Sequence, residues 1–167
     1  MKNLPNPLPL LLTLGLCVLT IAETKADESV SVQRLKKTKE CRSCELTRAG
    51  LTGLDLERAD LRMAVLFNAA MNGVNLTGAN LVGAVLHGVD LRSADLSGAN
   101  LTGTDLRQAK LGGASLRGAN LTGVILYKAN LTGADLTGAT LKHAVLDGAV
   151  FCGTKMPSGG EDNSGCK

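Results

Sequence analysis

The sequence predicts an all-β fold, a four-sided β-helical solenoid that closes one coil every twenty residues. Three observations lead there. A bulky apolar residue stands at every fifth position from Leu46 to Phe151, giving 22 centres, all Leu except Met71 and Phe151. The residue two before each centre is Ala in 16 of the 22, and the residue two after it is Gly in 14, so the formula is strict enough to set the architecture. The choice of residue just before the centre recurs at intervals of twenty. Val65, Val85, Ile125 and Val145 precede their centres on one such grid, and Asn80, Asn100 and Asn120 lie on another.

A period of five fits neither regular element alone. On an α-helix five steps of about 100° rotate each centre by about 140° from the last, so no apolar stripe forms. On a plain strand the odd period would turn every second centre outward. A short extended piece followed by a corner removes the conflict. The centre and the residue two before it then share the inner side, and Gly after the centre tolerates the turn. Chain that turns corners with one side always inward is a solenoid. The twenty-residue grids make four repeats per turn.

The chain divides into four segments. Residues 1–26 read as a signal peptide: Lys2 opens it, an apolar run extends from Leu8 to Ala22, and small-residue cleavage patterns end at Ala22 and Ala26. The run is short for a membrane-spanning helix, and Leu16 before Cys17 is too bulky for a lipoprotein signal. Cleavage after Ala26 takes the net charge from +3 to +2 and leaves four cysteines, Cys41, Cys44, Cys152 and Cys166. Residues 27–44 are expected to form an N-terminal cap. Ser29 or Ser31 starts a short helix there, with Val32 and Leu35 on one side and Arg34, Lys36 and Lys37 outside. Residues 45–153 form the coil, and residues 154–167 a C-terminal tail or cap. With 44% hydrophobic but only 2% aromatic residues, the interior is a narrow filled core of Leu and Ala. Any ligand therefore binds outside it.

The purest repeats are Ala99-Asn100-Leu101-Thr102-Gly103 and Ala134-Asp135-Leu136-Thr137-Gly138. They resemble the pentapeptide-repeat family, whose formula is Ala, then Asp or Asn, then Leu, then two loose positions. The resemblance covers residues 45–153. It implies a right-handed quadrilateral β-helix, here of about 22 repeats and 5.5 coils, the handedness being the family's. The flanks "TKECRSCELTRAGL" and "FCGTKMPSGGEDNSGC" resemble the ends of exported members common in cyanobacteria. The implied destination is the periplasm, the thylakoid lumen or the cell exterior.

Four cysteines allow three connectivities. Cys41 sits where a preceding centre would be, and Cys44 takes the inward small position of the first repeat. Cys152 points outward in the last repeat, and Cys166 lies in a tail that can fold back. Partners need Cα atoms within about 7 Å, so bridges between the two ends of the rod are excluded and Cys41–Cys44 and Cys152–Cys166 remain. A redox or metal role for Cys41-x-x-Cys44 is the competing reading, with Lys37, Lys39 and Arg42 nearby. No thioredoxin-type strand and helix surround the pair, which favours a structural staple.

No catalytic, metal or cofactor constellation stands out. His87 and His143 lie on different faces. The Asp residues before centres (Asp55, Asp60, Asp90, Asp95, Asp105 and Asp135) are the polar half of the formula, where Asn replaces them freely. No basic run suggests nucleic-acid binding, and no membrane attachment remains after signal cleavage. Two function classes survive. One is a non-enzymatic exported module that presents a flat face to a protein partner or to itself. The alternative, implied by the resemblance, is a DNA mimic that binds gyrase or a topoisomerase. It is disfavoured by nine acidic and nine basic side chains over residues 45–151 and by the signal peptide.

The face centred on 46, 66, 86, 106, 126 and 146 carries the clearest functional signal. Its outward positions hold Val65, Phe67, Val85, His87, Ile125, Tyr127 and Val145, interrupted by Asp105 and Arg107. Side chains in register one coil apart lie about 4.8 Å from each other, so these merge into a stripe. Asp105 and Arg107 are expected to pair across an interface and fix its register. Elsewhere large apolar residues at outward positions are few: Met63, Val82 and Val150. A contiguous apolar strip on a polar surface marks an interaction site.

Overall fold

Five residues build one side of the coil, and the repeat around Leu101 shows how their backbone groups are satisfied. Leu101 N–H donates to Asn120 C=O (2.8 Å) and Gly103 N–H to Thr122 C=O (2.9 Å), both one coil ahead. Asp105 N–H donates to Ala84 C=O one coil behind (3.0 Å), and Thr104 N–H closes the corner on Leu101 C=O (3.1 Å). Thr102 N–H points outward, and Asn100 Oδ1 accepts it (3.1 Å). All five donors have partners, as buried or edge backbone requires. The interchange of Asp and Asn before the centre has the same cause. Either residue supplies an Oδ1 for the donor two residues on, an Asx turn. It recurs at Asp55, Asp60, Asn75, Asn80, Asp90, Asp95, Asp105, Asn120, Asn130 and Asp135.

These bonds repeat through a computed structural model that describes residues 30–167. The expected signal peptide (1–26) and the first residues of the cap segment, Ser29 included, lie outside the described residues. Parallel bridges join residues twenty apart from Glu40↔Asp60 to Asp135↔Lys155 without a gap, so four sides make one coil. The corner is of type II. The residue two after every centre has φ near +60°, from Arg48 (57°) to Gly153 (62°). Gly suits that conformation, and the other residues found there, such as Arg58, Met63, Asn68 and Ser93, adopt it at a cost.

The centres fill the interior. From Leu46 to Leu136 none is more than 1% exposed, and the small residues two before them are buried beside them. Thr104 and Thr154 take that inward place with a hydroxyl, and each satisfies it by donating to a centre carbonyl (Leu81, 2.9 Å; Leu131, 2.8 Å). At the N-terminal end residues 30–38 are helical. Leu35 is fully buried and Val32 packs on the core, while Arg34, Lys36 and Lys37 are exposed. At the other end β1 (Thr154–Lys155) continues the ladder over Asp135 and pairs antiparallel with β2 (Glu161–Asp162).

Two substitutions at equivalent corner positions should move stability in opposite directions. Ser93→Gly removes a left-handed non-glycine residue and should stabilise by about 0.5–1 kcal/mol, after the entropy that Gly adds to the unfolded chain. Gly88→Ala should destabilise by about 1 kcal/mol or more. It puts a Cβ at φ 68°, 2.1 Å from Asn68 Oδ1, which must swing away. Thermal unfolding followed by circular dichroism checks both signs.

Candidate interaction face

One backbone ladder carries the residues of the stripe. Glu45, Val65, Val85, Asp105, Ile125 and Val145 form consecutive parallel bridges, so the sequence grid of twenty is a column in space. Beside it Phe67, His87, Arg107 and Tyr127 follow their centres, and the Phe67 and His87 rings stack with centroids 5.3 Å apart. Lys128 Nζ lies 5.0 Å from the Tyr127 ring centroid, a cation–π contact. The column is less exposed than separate side chains would be. Of its apolar members only Tyr127 (39%) and Val145 (40%) are exposed, because each inner member is covered by its neighbours one coil away. Met63, off this face, is 56% exposed.

The face also departs from the rest of the coil in its backbone. Where Val65, Val85, Ile125 and Val145 replace Asp or Asn, no side chain of the described residues accepts the outward N–H of Phe67, His87, Tyr127 or Asp147. Glu45 and Asp105 do supply that acceptor, for Thr47 (3.0 Å) and Arg107 (3.1 Å). The acceptor is missing elsewhere as well, at Gly50, Ala70, Lys110, Ser115, Thr140 and Val150, but of those six only Val150 is bulky and apolar. Bulky apolar residues and open donors coincide on the one face.

Asp105 and Arg107 do not await a partner across an interface. They bind each other: Arg107 Nε and Nη2 donate to the Asp105 carboxylate at 2.9 and 2.6 Å. The same Asp-Leu-Arg arrangement closes on itself at Asp60 and Arg62 and at Asp90 and Arg92, on other faces. Spacing explains it. Residues two apart flank one centre and point the same way, so a carboxylate and a guanidinium meet at once. Burial raises the Asp105 pKa, but its bonds to Arg107 outweigh that and hold it below the usual carboxylate range. Arg62 holds Asp60 down to about 2. Bonds from Thr137, with Arg117 beside them, do the same for Asp135.

The cysteines pair as Cys41–Cys44, with Cα atoms 5.2 Å apart, and Cys152–Cys166, at 4.8 Å. Cys41 is a true first centre. Its N–H donates one coil ahead to Asp60 C=O (2.8 Å), and its side chain is fully buried, so the disulfide replaces a Leu–Ala contact inside the core. The second bridge holds the tail across the last coil, where Gly165 N–H donates to Phe151 C=O (2.6 Å). His87 and His143 stay apart, and His143 occupies a corner at φ 60°. A shallow groove lined by Asn72, Gly73, Arg92, Ser93, Gly112 and Thr132 runs along another corner. Among the described residues no three His, Cys, Asp or Glu side chains gather as metal ligands, and no helix is long and apolar enough to cross a membrane.

The depressed Asp135 pKa has a sign that can be checked. A carboxyl at about 2 in the folded chain, against 3.8 unperturbed, contributes stability that is full above pH 4 and lost as the pH falls towards 2. Asp135→Asn keeps an Oδ1 for Thr137 N–H and removes the titration. Urea midpoints measured from pH 5 to pH 2 should fall less steeply for Asp135→Asn than for the wild type.

Comparison with known proteins agrees with this geometry. The family model for pentapeptide repeats matches residues 69–108, 99–138 and 134–157. A pentapeptide repeat protein from the cyanobacterium Cyanothece 51142 is 29% identical. The match covers 72% of this chain and 92% of that one, with a TM-score of 0.62. HetL, a pentapeptide repeat protein involved in heterocyst differentiation regulation in Nostoc sp. strain PCC 7120, is 31% identical over 74% of this chain and 68% of its own, with a TM-score of 0.34. A thylakoid-lumen pentapeptide repeat protein of Arabidopsis thaliana is 36% identical over 60% of this chain and 67% of its own, with a TM-score of 0.38. No curated protein matches. The parallel ladder, the corner every five residues, the family-model match over residues 69–157 and the likeness to the Cyanothece protein make the chain a right-handed β-helical solenoid of the pentapeptide repeat family.

Proposed function

We propose that this protein is an exported, non-enzymatic interaction module that binds a protein partner, or a second copy of itself, through the face of Val65, Phe67, Val85, His87, Ile125, Tyr127 and Val145. The observation that carries this reading is the coincidence of four β-branched residues on one ladder with outward N–H groups left without a side-chain acceptor. A rod needs neither feature for its own stability, since Asp and Asn serve at the same place on other faces. Apolar strips and open donors are what a partner uses: burial supplies affinity and the donors fix register.

The rest of the molecule fits a durable scaffold. About 22 repeats give five and a half coils, a rod of roughly 26 Å at 4.8 Å per layer. The helix over 30–38, with Leu35 buried, closes the N-terminal end and keeps its edge from pairing with other chains. Two disulfides accord with an oxidising compartment, periplasm or thylakoid lumen, reached through the leader. The DNA-mimic alternative finds no support in the charge distribution, because the acidic side chains at Asp60, Asp90, Asp105 and Asp135 are neutralised by arginines beside them.

Ile125→Asp with Tyr127→Ser tests the face. Both side chains point outward, so the coil should keep its circular dichroism and melting temperature. Pull-downs from the exported compartment should lose the partners that wild type retains. Identical recoveries, together with an unchanged mass by light scattering, would remove the stripe as the site. Mass spectrometry of the exported chain should find an N-terminus just after Ala22 or Ala26.

A further inference from the structure

The net charge of the rod is gathered at its N-terminal end. Residues 30–50 hold six basic side chains, Arg34, Lys36, Lys37, Lys39, Arg42 and Arg48, against two acidic ones, Glu40 and Glu45. Residues 51–167 hold ten of each sign and sum to zero. Asp27 and Glu28 offset two of the charges in the mature chain, but they precede the helix, whereas the basic residues lie in it and after it. No run longer than Lys36-Lys37 announces the cluster, because the fold assembles it from three places.

The first place is the helix over 30–38. Ser31 and Leu35 are buried and Val32 packs on the core, which turns Gln33, Arg34, Lys36 and Lys37 outward. The second is Arg42, exposed on the side opened by Cys41, and the third is Arg48, exposed at the corner after Leu46 with φ 57°. Elsewhere on the rod arginines are neutralised by aspartates beside them. Here Lys39 is held by Asp55 (2.9 Å), but Arg34, Lys36, Lys37, Arg42 and Arg48 make no ion pair among the described residues. Asp60 near Arg42 is taken by Arg62, and Glu45 accepts from Thr47 N–H (3.0 Å). Lysines in the last turn of a helix complement its dipole, which accounts for Lys36 and Lys37 but not for Arg34, Arg42 or Arg48.

We propose that this end docks on an anionic lipid surface, with the rod standing on its cap. A protein partner would need an apolar or aromatic centre with few charges in it. The outward residues of this end include no aromatic, and their one large apolar member is Val30, 61% exposed. A layer of anionic head groups requires only charge density, and long flexible cations reach it without a matched shape. Leu35 and Val32 are committed to the core, so the helix lies on the surface and does not enter it. This is a reversible contact, distinct from the anchor that signal cleavage is expected to leave absent. It does not depend on the side face, which runs along the rod and stays clear of a surface under its end.

The test uses the disulfide-bonded chain recovered from the exported compartment, after removal of the leader, and flotation with phosphatidylcholine vesicles that contain or lack phosphatidylglycerol. Wild type should bind only the anionic vesicles at about 50 mM salt and leave them near 0.5 M, where screening is strong. Each cation near such a surface is worth about a factor of five, so Lys36→Gln with Lys37→Gln should weaken binding about twentyfold. Both positions are exposed and Gln suits a helix, so the melting temperature should not move. Lys110→Gln with Lys142→Gln removes the same charge from exposed, unpaired positions far along the rod and should bind like wild type. So should the Ile125→Asp, Tyr127→Ser protein, which separates this end from the side face. No binding to anionic vesicles at low salt overturns the proposal, and so does equal binding to neutral ones. Equal loss in the Lys110, Lys142 variant reduces the effect to net charge and overturns it too. Displacement by inorganic phosphate at matched ionic strength would make the end a small-anion site instead.

Discussion

The corner is the constraint on which everything else rests. A chain that must turn every five residues needs a left-handed residue two after each centre and a small residue two before it, and it leaves one N–H outside for which a side chain can supply an acceptor. Each requirement has its place in the formula: Gly at most corners, Ala on the inner side, Asp or Asn before the centre. With those met, the remaining backbone groups fall into register with the coils above and below. Leucine then only fills the space that the backbone has defined.

This division of labour explains what could be read from the sequence. The fold was legible because a strict period leaves few solutions, and the twenty-residue grids of Val65 and Asn80 carried the number of sides. The disulfide pairs followed from the same geometry. Other features were hidden for physical reasons. That Asp and Asn interchange was visible, but the acceptor role of their Oδ1 appears only when the outward N–H is located. The internal pairing of Asp105 with Arg107 was readable from Asp-Leu-Arg, repeated at Asp60 and Asp90, because residues flanking one centre share a side. Read as lone charges in an apolar column, they looked like half of an interface. The partial exposure of Leu141 and Leu146 gave no sign, since both obey the formula as faithfully as Leu121 and Leu126. Only the lack of a coil above them changes their surroundings.

Mutual cover along a column changes how surface is counted on such a rod. Val85 or Ile125 would be well exposed on an isolated strand, yet each is half-buried by its neighbours in the ladder. A stripe of this kind presents a narrow apolar ridge with the Phe67–His87 stack and Tyr127 beside it. A complementary surface has to match its straightness and its layer spacing. A curved or irregular apolar patch would touch only a few of the steps.

The two spacings in the structure, five residues to a side and twenty to a coil, have different consequences for how the gene can change length. Loss or gain of five residues leaves the corner chemistry intact, so the coil still closes. Every residue downstream, however, moves a quarter-turn around the rod. A deletion between Val85 and Ile125 would leave Ile125, Tyr127 and Val145 on a different side from Val65 and Phe67. A change of twenty keeps every column aligned and only alters its height. Folding thus accepts indels in multiples of five, whereas a working surface accepts them in multiples of twenty. Duplication of whole coils is the route by which such a chain grows and keeps its face.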